Sequence, residues 1–301
     1  MNNYKNFFLN NWCNYKTKIK ISSLFLYLFL FLITFVFVLP FYLMFITSIK
    51  STSEIIENNP LSLPMNLMNV ISNYKKSFSE QFSFIPYFWN TFKITFLSTF
   101  FGTLCCILTA YALSSIFDFT FKPALMILLY LGLMTTSETL TIVNYRTAAD
   151  LGWIDFGRGS RFPFGNDFAI IIPYLINIVH VLLLLRIFEN VPKELYYAAK
   201  IDGTSDWKYL WKILVPITKP TIIITVVFRI VSTWNAYAWP ELMGAKLLTN
   251  MMRKTFDSET GIETINIQMA VAVLINIPLI LIFIFFRKYI TSGENTSGIK
   301  G

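Results

Sequence analysis

The chain has 301 residues, 55% hydrophobic and only 14% charged, with a mean hydropathy of +0.56. Soluble domains carry about 25% charged residues, so the composition indicates a membrane protein and gives no sign of a nucleic-acid partner. The three cysteines (Cys13, Cys105, Cys106) and the single histidine (His180) provide no disulfide framework, no metal-ligand spacing and no hydrolytic triad.

Residues 1–20 are polar and contain Lys5, Lys16, Lys18 and Lys20. Leu24 to Phe45 is almost free of polar groups. About 20 apolar residues rising 1.5 Å each cross roughly 30 Å of hydrocarbon, so this run suffices for a span. A signal peptide would have a shorter apolar core and a small-residue cleavage site. Neither is present, and the run reads as an uncleaved first span with Pro40 near its outer part. Residues 48–88 form a polar loop with Pro60, Pro64 and Pro86. Five further apolar runs follow. The expected fold is an all-α membrane protein with an N-terminal segment 1–20, a transmembrane domain 21–290 and a tail 291–301. Its six transmembrane helices lie at about 22–47, 89–116, 123–143, 168–188, 217–239 and 268–289. Gly102, Ala110 and Ala112 in the second span allow close helix approach. Pro173, Pro220 and Pro278 mark breaks in or near later spans, tolerable where neighbours satisfy the freed carbonyls.

Six spans put both termini on one side. With the N-terminus inside, the inner segments carry a balance of +8 and the outer ones −1, Arg229 within the fifth span supplying the remainder. This asymmetry favours cytoplasmic termini. The outer segments 144–167 and 239–267 mix aromatic and charged groups. They suit either an external soluble partner or interfacial anchoring by Tyr145, Trp153 and Trp239.

The inner loop between the fourth and fifth spans has more pattern than a connector needs. Asn190 and Pro192 read as a helix start, with Glu194 complementing the positive end. Glu194, Ala198 and Ile201 share a face, with Leu195, Ala199 and Asp202 beside them. Ala198 and Ala199 predict a flat strip open to another surface. Gly203 supplies a left-handed stop, Thr204 or Ser205 caps a second helix, and Trp207, Leu210, Trp211 and Leu214 repeat at helical spacing. The loop reads as a helix-turn-helix that docks onto something and does no chemistry itself.

The series Glu194, Ala198, Ala199, Asp202, Gly203, followed by Pro216 and Pro220, resembles the EAA motif of ATP-binding cassette (ABC) importer permeases. Thr233-Trp234-Asn235 with Trp239-Pro240, Asp150-Leu151-Gly152, and the tail ending Gly298-Ile299-Lys300-Gly301 resemble the carbohydrate branch, the maltose and glycerol-phosphate type. The resemblance covers nearly all the chain from the first span onward. It implies a permease subunit, not an enzyme, of an ATP-driven importer for a sugar or related solute such as a polyol phosphate. It further implies a bacterial cell-membrane location, a second homologous permease, an ABC ATPase dimer that uses the ATP, and an extracytoplasmic binding protein or lipoprotein. No cofactor or metal is implied for this chain. By carry-over, Glu194, Ala198, Ala199, Asp202 and Gly203 couple to the ATPase, and the C-terminal tail reaches the ATPase pair. Leu195, Tyr196 and Tyr197 replace a Glu-Glu pair often seen in the motif.

Within the membrane, Arg229 is either a solute-facing group or part of a structural pair with Glu138 or Glu241. Trp234 and Asn235 are solute-path candidates, through indole stacking and amide hydrogen bonding, or else helix–helix packing groups. His180 and Asn177, three apart in the fourth span, read as packing polar groups. A stand-alone secondary transporter is the alternative function. It would need a coupling-ion site and repeated halves, and no acid lies well inside a span.

Overall fold

The computed structural model describes residues 2–57, 61–64, 68–79, 84–135, 137–154, 165–256 and 264–295. All regular structure among them is helical. Three helices are long and apolar enough to cross a membrane, or up to six if each of three bent pairs is one span. The chain divides into two compact units.

The first unit comprises residues 1–77 and 259–273. Its helices are α1 (Asn2–Ile49), α2 (Thr52–Glu57) and α3 (Met68–Ser77), with the opening turns of the last helix. The apolar part of α1, Ser23–Ile49, leaves side chains such as Phe25 and Phe37 about 70% exposed, which lipid can cover and water would not. A capping box starts α2: Glu54 Oε2 accepts from the Ser51 amide at 2.9 Å, and Ser51 Oγ accepts from the Glu54 amide at 3.3 Å. The carbonyls left open at the end of α1 are met by a buried asparagine. Asn73 Nδ2 donates to Ser48 O at 3.0 Å and to Lys50 O at 2.8 Å, and Asn73 Oδ1 accepts from Asn266 Nδ2 at 3.0 Å.

The second unit comprises residues 78–258 and 274–301. Its centre is α4 (Phe84–Leu113), an unbroken apolar helix. Then come α5 (Lys122–Met134) and α6 (Ser137–Asp150). The run expected as a span at 123–143 is built from two helices, with Thr135 extended after Met134. At 13 residues, α5 reaches only about 20 Å. The fourth apolar run is also broken. Helix α7 (Gly165–Ile171) passes into a 3-10 turn at Ile172–Tyr174, then bends by 50° into α8 (Ile178–Glu189), with Pro173 at the break.

The inner loop holds α9 (Lys193–Ile201), α10 (Asp206–Tyr209), a π turn at Leu210–Leu214 and α11 (Val215–Ile217). At Thr218 the chain turns by 83° into α12 (Lys219–Trp234), which begins with Pro220 in its first turn. Short helices α13 (Ala238–Leu242) and α14 (Leu248–Phe256) precede α15 (Ile265–Asn295), which takes Pro278 into its interior. Helix α4 packs most extensively on α8 and α12.

Two apolar clusters fill this unit. One joins the C-terminal half of α4 to α8 and the inner loop, through Ile107, Tyr111, Leu184, Phe188, Ala199 and Tyr209. The other joins Ile94, Ala148, Ala169, Ile170, Trp239 and Met243. Residues 155–164 and 257–263 of the two outer segments, and residues 296–301 of the tail, lie outside the described residues.

Candidate functional site: the inner loop and the Arg229 cavity

The first helix of the loop starts later than its sequence suggests. Asn190 is the C-cap of α8, its amide bonding back to Arg186 O and Ile187 O, and α9 starts after Pro192. Asparagine suits either end of a helix, and the end is decided by how far the preceding apolar run stays packed. Glu194 lies in the first turn of α9. Gly203, at φ +72°, closes the helix: its amide donates to Lys200 O at 3.0 Å and the Thr204 amide to Ala199 O at 2.9 Å. This is a Schellman stop, which needs the left-handed conformation that glycine adopts without strain. Ser205, not Thr204, caps the next helix, accepting from the Lys208 amide at 3.4 Å.

The paired alanines divide. Ala199 is 6% exposed and sits in the chain's own core, whereas Ala198 faces out. The strip expected of both is therefore one residue wide, because neighbours in a helix point about 100° apart. The outward face of α9 consists of Glu194, Tyr197, Ala198 and Ile201, and Ile201 is 87% exposed. Asp202 and Gly203 are also exposed, and Trp207 stands out from the second helix.

Tyr196 points inward and locks the two loop helices together. Its hydroxyl donates to Asp206 Oδ1 at 2.8 Å, and Lys200 Nζ lies 2.9 Å from the same oxygen. The hydrogen bond from Lys200, and then that from Tyr196, hold the Asp206 carboxyl below its ordinary value. The bond to Asp206 in turn raises the Lys200 ammonium. The Tyr196 ring packs edge-on against Tyr209 at 5.1 Å, and Tyr111 of α4 reaches the loop through Asp206 O at 3.1 Å. The local sequence pattern gave no sign of this clamp.

Arg229 on α12 is 3% exposed. It does not pair with Glu241, one of the two acids expected for it. Glu241 engages the Asn250 amide, and the side chain of Glu138 lies outside what the structure describes. Its partners are backbone carbonyls: Nη2 donates to Ser98 O at 3.1 Å and Tyr174 O at 3.3 Å, and Nη1 lies 3.8 Å from Cys106 Sγ. The carbonyl of Tyr174 is freed by the break between α7 and α8, and a donor from a neighbouring helix is what such a break requires in a membrane. Gly102 makes room for the guanidinium, since a Cβ there would lie 1.7 Å from Nη2. Asn177 caps α8 by accepting from the His180 amide at 3.2 Å.

Arg229, Asn177 and His180 line a polar cavity of about 360 Å³, with Thr233 and Tyr237. The other two solute-path candidates lie elsewhere. Trp234 is 3% exposed, donates its indole N–H to Ile275 O at 3.2 Å, and borders a nearly all-apolar groove of about 760 Å³. Phe88, Phe92, Phe96 and Phe100 form one wall of that groove as a stacked ladder. Asn235 is exposed at the C-cap of α12. Trp239 is buried with its indole N–H on Ala169 O at 3.1 Å.

Long apolar helices, broken helices around a polar cavity and an outward-presenting loop define a helical membrane transport component. The family model of the binding-protein-dependent transport system inner membrane component matches residues 13–294, and the chain belongs to that family, the permease subunits of ABC transporters. It is similar to the arabinooligosaccharides transport system permease protein AraQ of Bacillus subtilis (strain 168), 22% identical over 271 residues, covering 87% of this chain and 90% of that one. The polygalacturonan/rhamnogalacturonan transport system permease protein YtcP of the same organism is 25% identical over 303 residues, covering 94% and 100%. The sn-glycerol-3-phosphate transport system permease protein UgpE of Brucella abortus (strain 2308) is 24% identical over 264 residues, covering 84% and 89%. Among solved structures, a bacterial ABC transporter involved in the import of the acidic polysaccharide alginate shares the fold. Its TM-score is 0.73 at 22% identity, covering 90% of this chain and 96% of that one.

Proposed function

We propose that this permease carries a sugar or a related polyhydroxylated solute inward, driven by an ATPase pair that docks on the outward face of α9. The observation that carries the reading is the division of that helix. Its back face, Tyr196 and Ala199, is fixed in the core shared with α4 and α8. Its front face, Glu194, Tyr197, Ala198 and Ile201, is presented to a partner. A push on the front face is therefore passed to the spans without deforming the helix, since a packed core transmits strain. Glu194, Ala198, Ala199, Asp202 and Gly203 are the coupling residues. Ala199 acts through packing, Gly203 by setting the bend, and the other three at the contact.

In this reading α5 with α6 and α7 with α8 each count as one span and α12 is the fifth, giving six with α1, α4 and α15. The lysine-rich segments place both termini and the loop in the cytoplasm. A second homologous permease completes the path, and an extracytoplasmic binding protein delivers solute. The sugar class is supported by the relatives, which are permease proteins of transport systems for arabinooligosaccharides, polygalacturonan/rhamnogalacturonan and sn-glycerol-3-phosphate. Solute passes the Arg229 cavity, while Asn235 lies exposed at the C-cap of α12 and Trp234 is a packing residue.

The test is purification of the tagged chain from its native membrane in mild detergent. An ATPase and a second permease should come with it, and Gly203→Pro should lower both ATPase retention and uptake. Uptake that persists without an ATPase and is unchanged by Gly203→Pro would refute the proposal.

A further inference from the structure

The apolar groove beside Trp234 has one end unlike the rest of it. Residues of α4, α12 and α15 line it, all within the second unit. The phenylalanine ladder of α4 makes one wall, and Leu281 and Phe285 of α15 line it too. Thr95, Thr99 and Thr103 lie along the same groove with their hydroxyl oxygens buried, so those hydroxyls are not offered to an occupant. At the inner end stands Trp211. It belongs to the run Asp206–Ile217, which meets α12 at 83°. With α12 crossing the bilayer, that run lies nearly in the membrane plane, at the level where tryptophan and lysine collect. Trp207 packs edge-on against Trp211 at 5.7 Å. The Trp211 indole N–H is buried and has no acceptor, a costly state away from water. Lys208 and Lys212 of the same run are exposed, and its one acid, Asp206, is already bound to Lys200 and Tyr196. On α15 the groove-lining positions Pro278, Leu281 and Phe285 continue at helical spacing to Lys288, which is exposed.

We propose that this groove binds an anionic phospholipid of the inner leaflet, its acyl chain along the phenylalanine ladder and its phosphate at the Trp211 indole N–H, with Lys212 and Lys288 as counter-charges. The inference rests on the permease reading for the choice of leaflet. The chemistry of the occupant follows from the division of the groove, apolar along its length and cationic, with an acceptor missing, at one end. A membrane-crossing helix from another protein satisfies its own backbone carbonyls, so its main chain brings neither the acceptor nor the negative charge. A phosphate oxygen brings both, and a polybasic rim beside an apolar face is a pattern that anionic lipids recognise. The groove volume of about 760 Å³ falls within the roughly 300–1,000 Å³ of small-molecule sites. Because Trp211 lies on the inner loop, an occupied groove braces that loop against α4 and α15.

The test uses the complex purified through this chain in mild detergent and stripped of lipid. It is photolabelled with phosphatidylglycerol or phosphatidylcholine carrying the same diazirine acyl chain, and the labelled peptides are mapped. Phosphatidylglycerol is expected to label the peptides holding Phe96 and Phe100, or Leu281 and Phe285, at least about fivefold more than phosphatidylcholine, the worth of one lysine beside an anionic headgroup. Lys212→Gln combined with Lys288→Gln should bring the two lipids level. Leu281→Trp fills the groove and leaves the lysines in place, and it should lower labelling by both. The comparison of the two lipids on the unmodified complex needs no variant, so a folding defect does not decide the outcome. Equal labelling by the two lipids, no label on the groove peptides, or a preference that survives the paired lysine changes overturns the proposal. Capture of a second polypeptide by Leu281→benzoylphenylalanine assigns the groove to a protein interface and overturns it too. ATPase retention is scored separately: its loss from the unmodified complex sinks the importer reading and leaves the ratio of the two lipids readable.

Discussion

Replacing Gly102 by alanine tests the Arg229 node most directly. The added Cβ would lie 1.7 Å from Nη2 and 2.2 Å from Cζ of Arg229. Non-bonded heavy atoms settle near 3.5–4.0 Å, so the guanidinium must withdraw by roughly 1.5–2 Å. That movement breaks both Nη2 bonds, at 3.1 and 3.3 Å, and orphans the Tyr174 carbonyl at the break in the fourth apolar run. Hydrogen bonds to charged groups contribute about 1.5–3 kcal/mol each, whereas polar contacts between membrane helices average nearer 0.6 kcal/mol. Withdrawal into the adjoining cavity recovers part of the loss, and a net destabilisation of about 2–4 kcal/mol is expected. Arg229→Met removes the group that clashes, so Gly102→Ala in that background should cost less than about 1 kcal/mol, a coupling of about 2 kcal/mol in a double-mutant cycle. Reversible unfolding of the four proteins in mixed micelles measures it. A Gly102→Ala effect within about 0.5 kcal/mol, or an additive cycle, would refute the cradle described for Arg229.

At Gly203 no neighbouring atom lies within 4 Å of an added Cβ, so substitution cost comes from φ alone. Asparagine should cost least, alanine about 1–2 kcal/mol, and proline most, since it also removes the bond to Lys200 O; ATPase retention on the purified complex should fall in that order. Tyr196→Phe keeps the ring packing and loses the bond to Asp206, which should loosen the loop by about 1 kcal/mol and lower solute-stimulated ATP hydrolysis without reducing the amount of complex recovered.

Asp206 has a depressed folded-state pKa, so its contribution to the clamp is full above the ordinary value of 3.8 and is lost as pH falls through the depressed one. Lys200 is raised, so its contribution is full below 10.5 and is lost as pH rises through the raised value. Intrinsic-rate-corrected hydrogen-exchange protection of the Gly203 and Thr204 amides should therefore stay flat between about pH 5 and 9, and a step near neutrality would contradict the clamp. In the first unit, Asn73→Asp exchanges a donor shared by two buried carbonyls for a charge. It should cost about 2–3 kcal/mol and raise exchange at the end of α1, whereas an unchanged exchange profile would mean that Asn73 does not hold that end.

The sequence by itself determined what depends on near neighbours in the chain. Apolar run length set where helices could cross a membrane, and lysine placement set the expected orientation. The order Glu194, Ala198, Ala199, Asp202, Gly203 set a helix, its stop and its restart, because caps and left-handed stops are made within a few residues. Tertiary structure decided which face of that helix was free. Ala199 turns in and Ala198 out because α4 and α8 cover one side, which no local spacing encodes. It also gave Arg229 carbonyl partners, put Trp234 into packing against Ile275, and made Asn73 the tie for the end of α1. Every residue has a carbonyl, so a side chain bound to backbone leaves no partner to find in the sequence. Only the breaks and crossings of the helices show which carbonyls are left open.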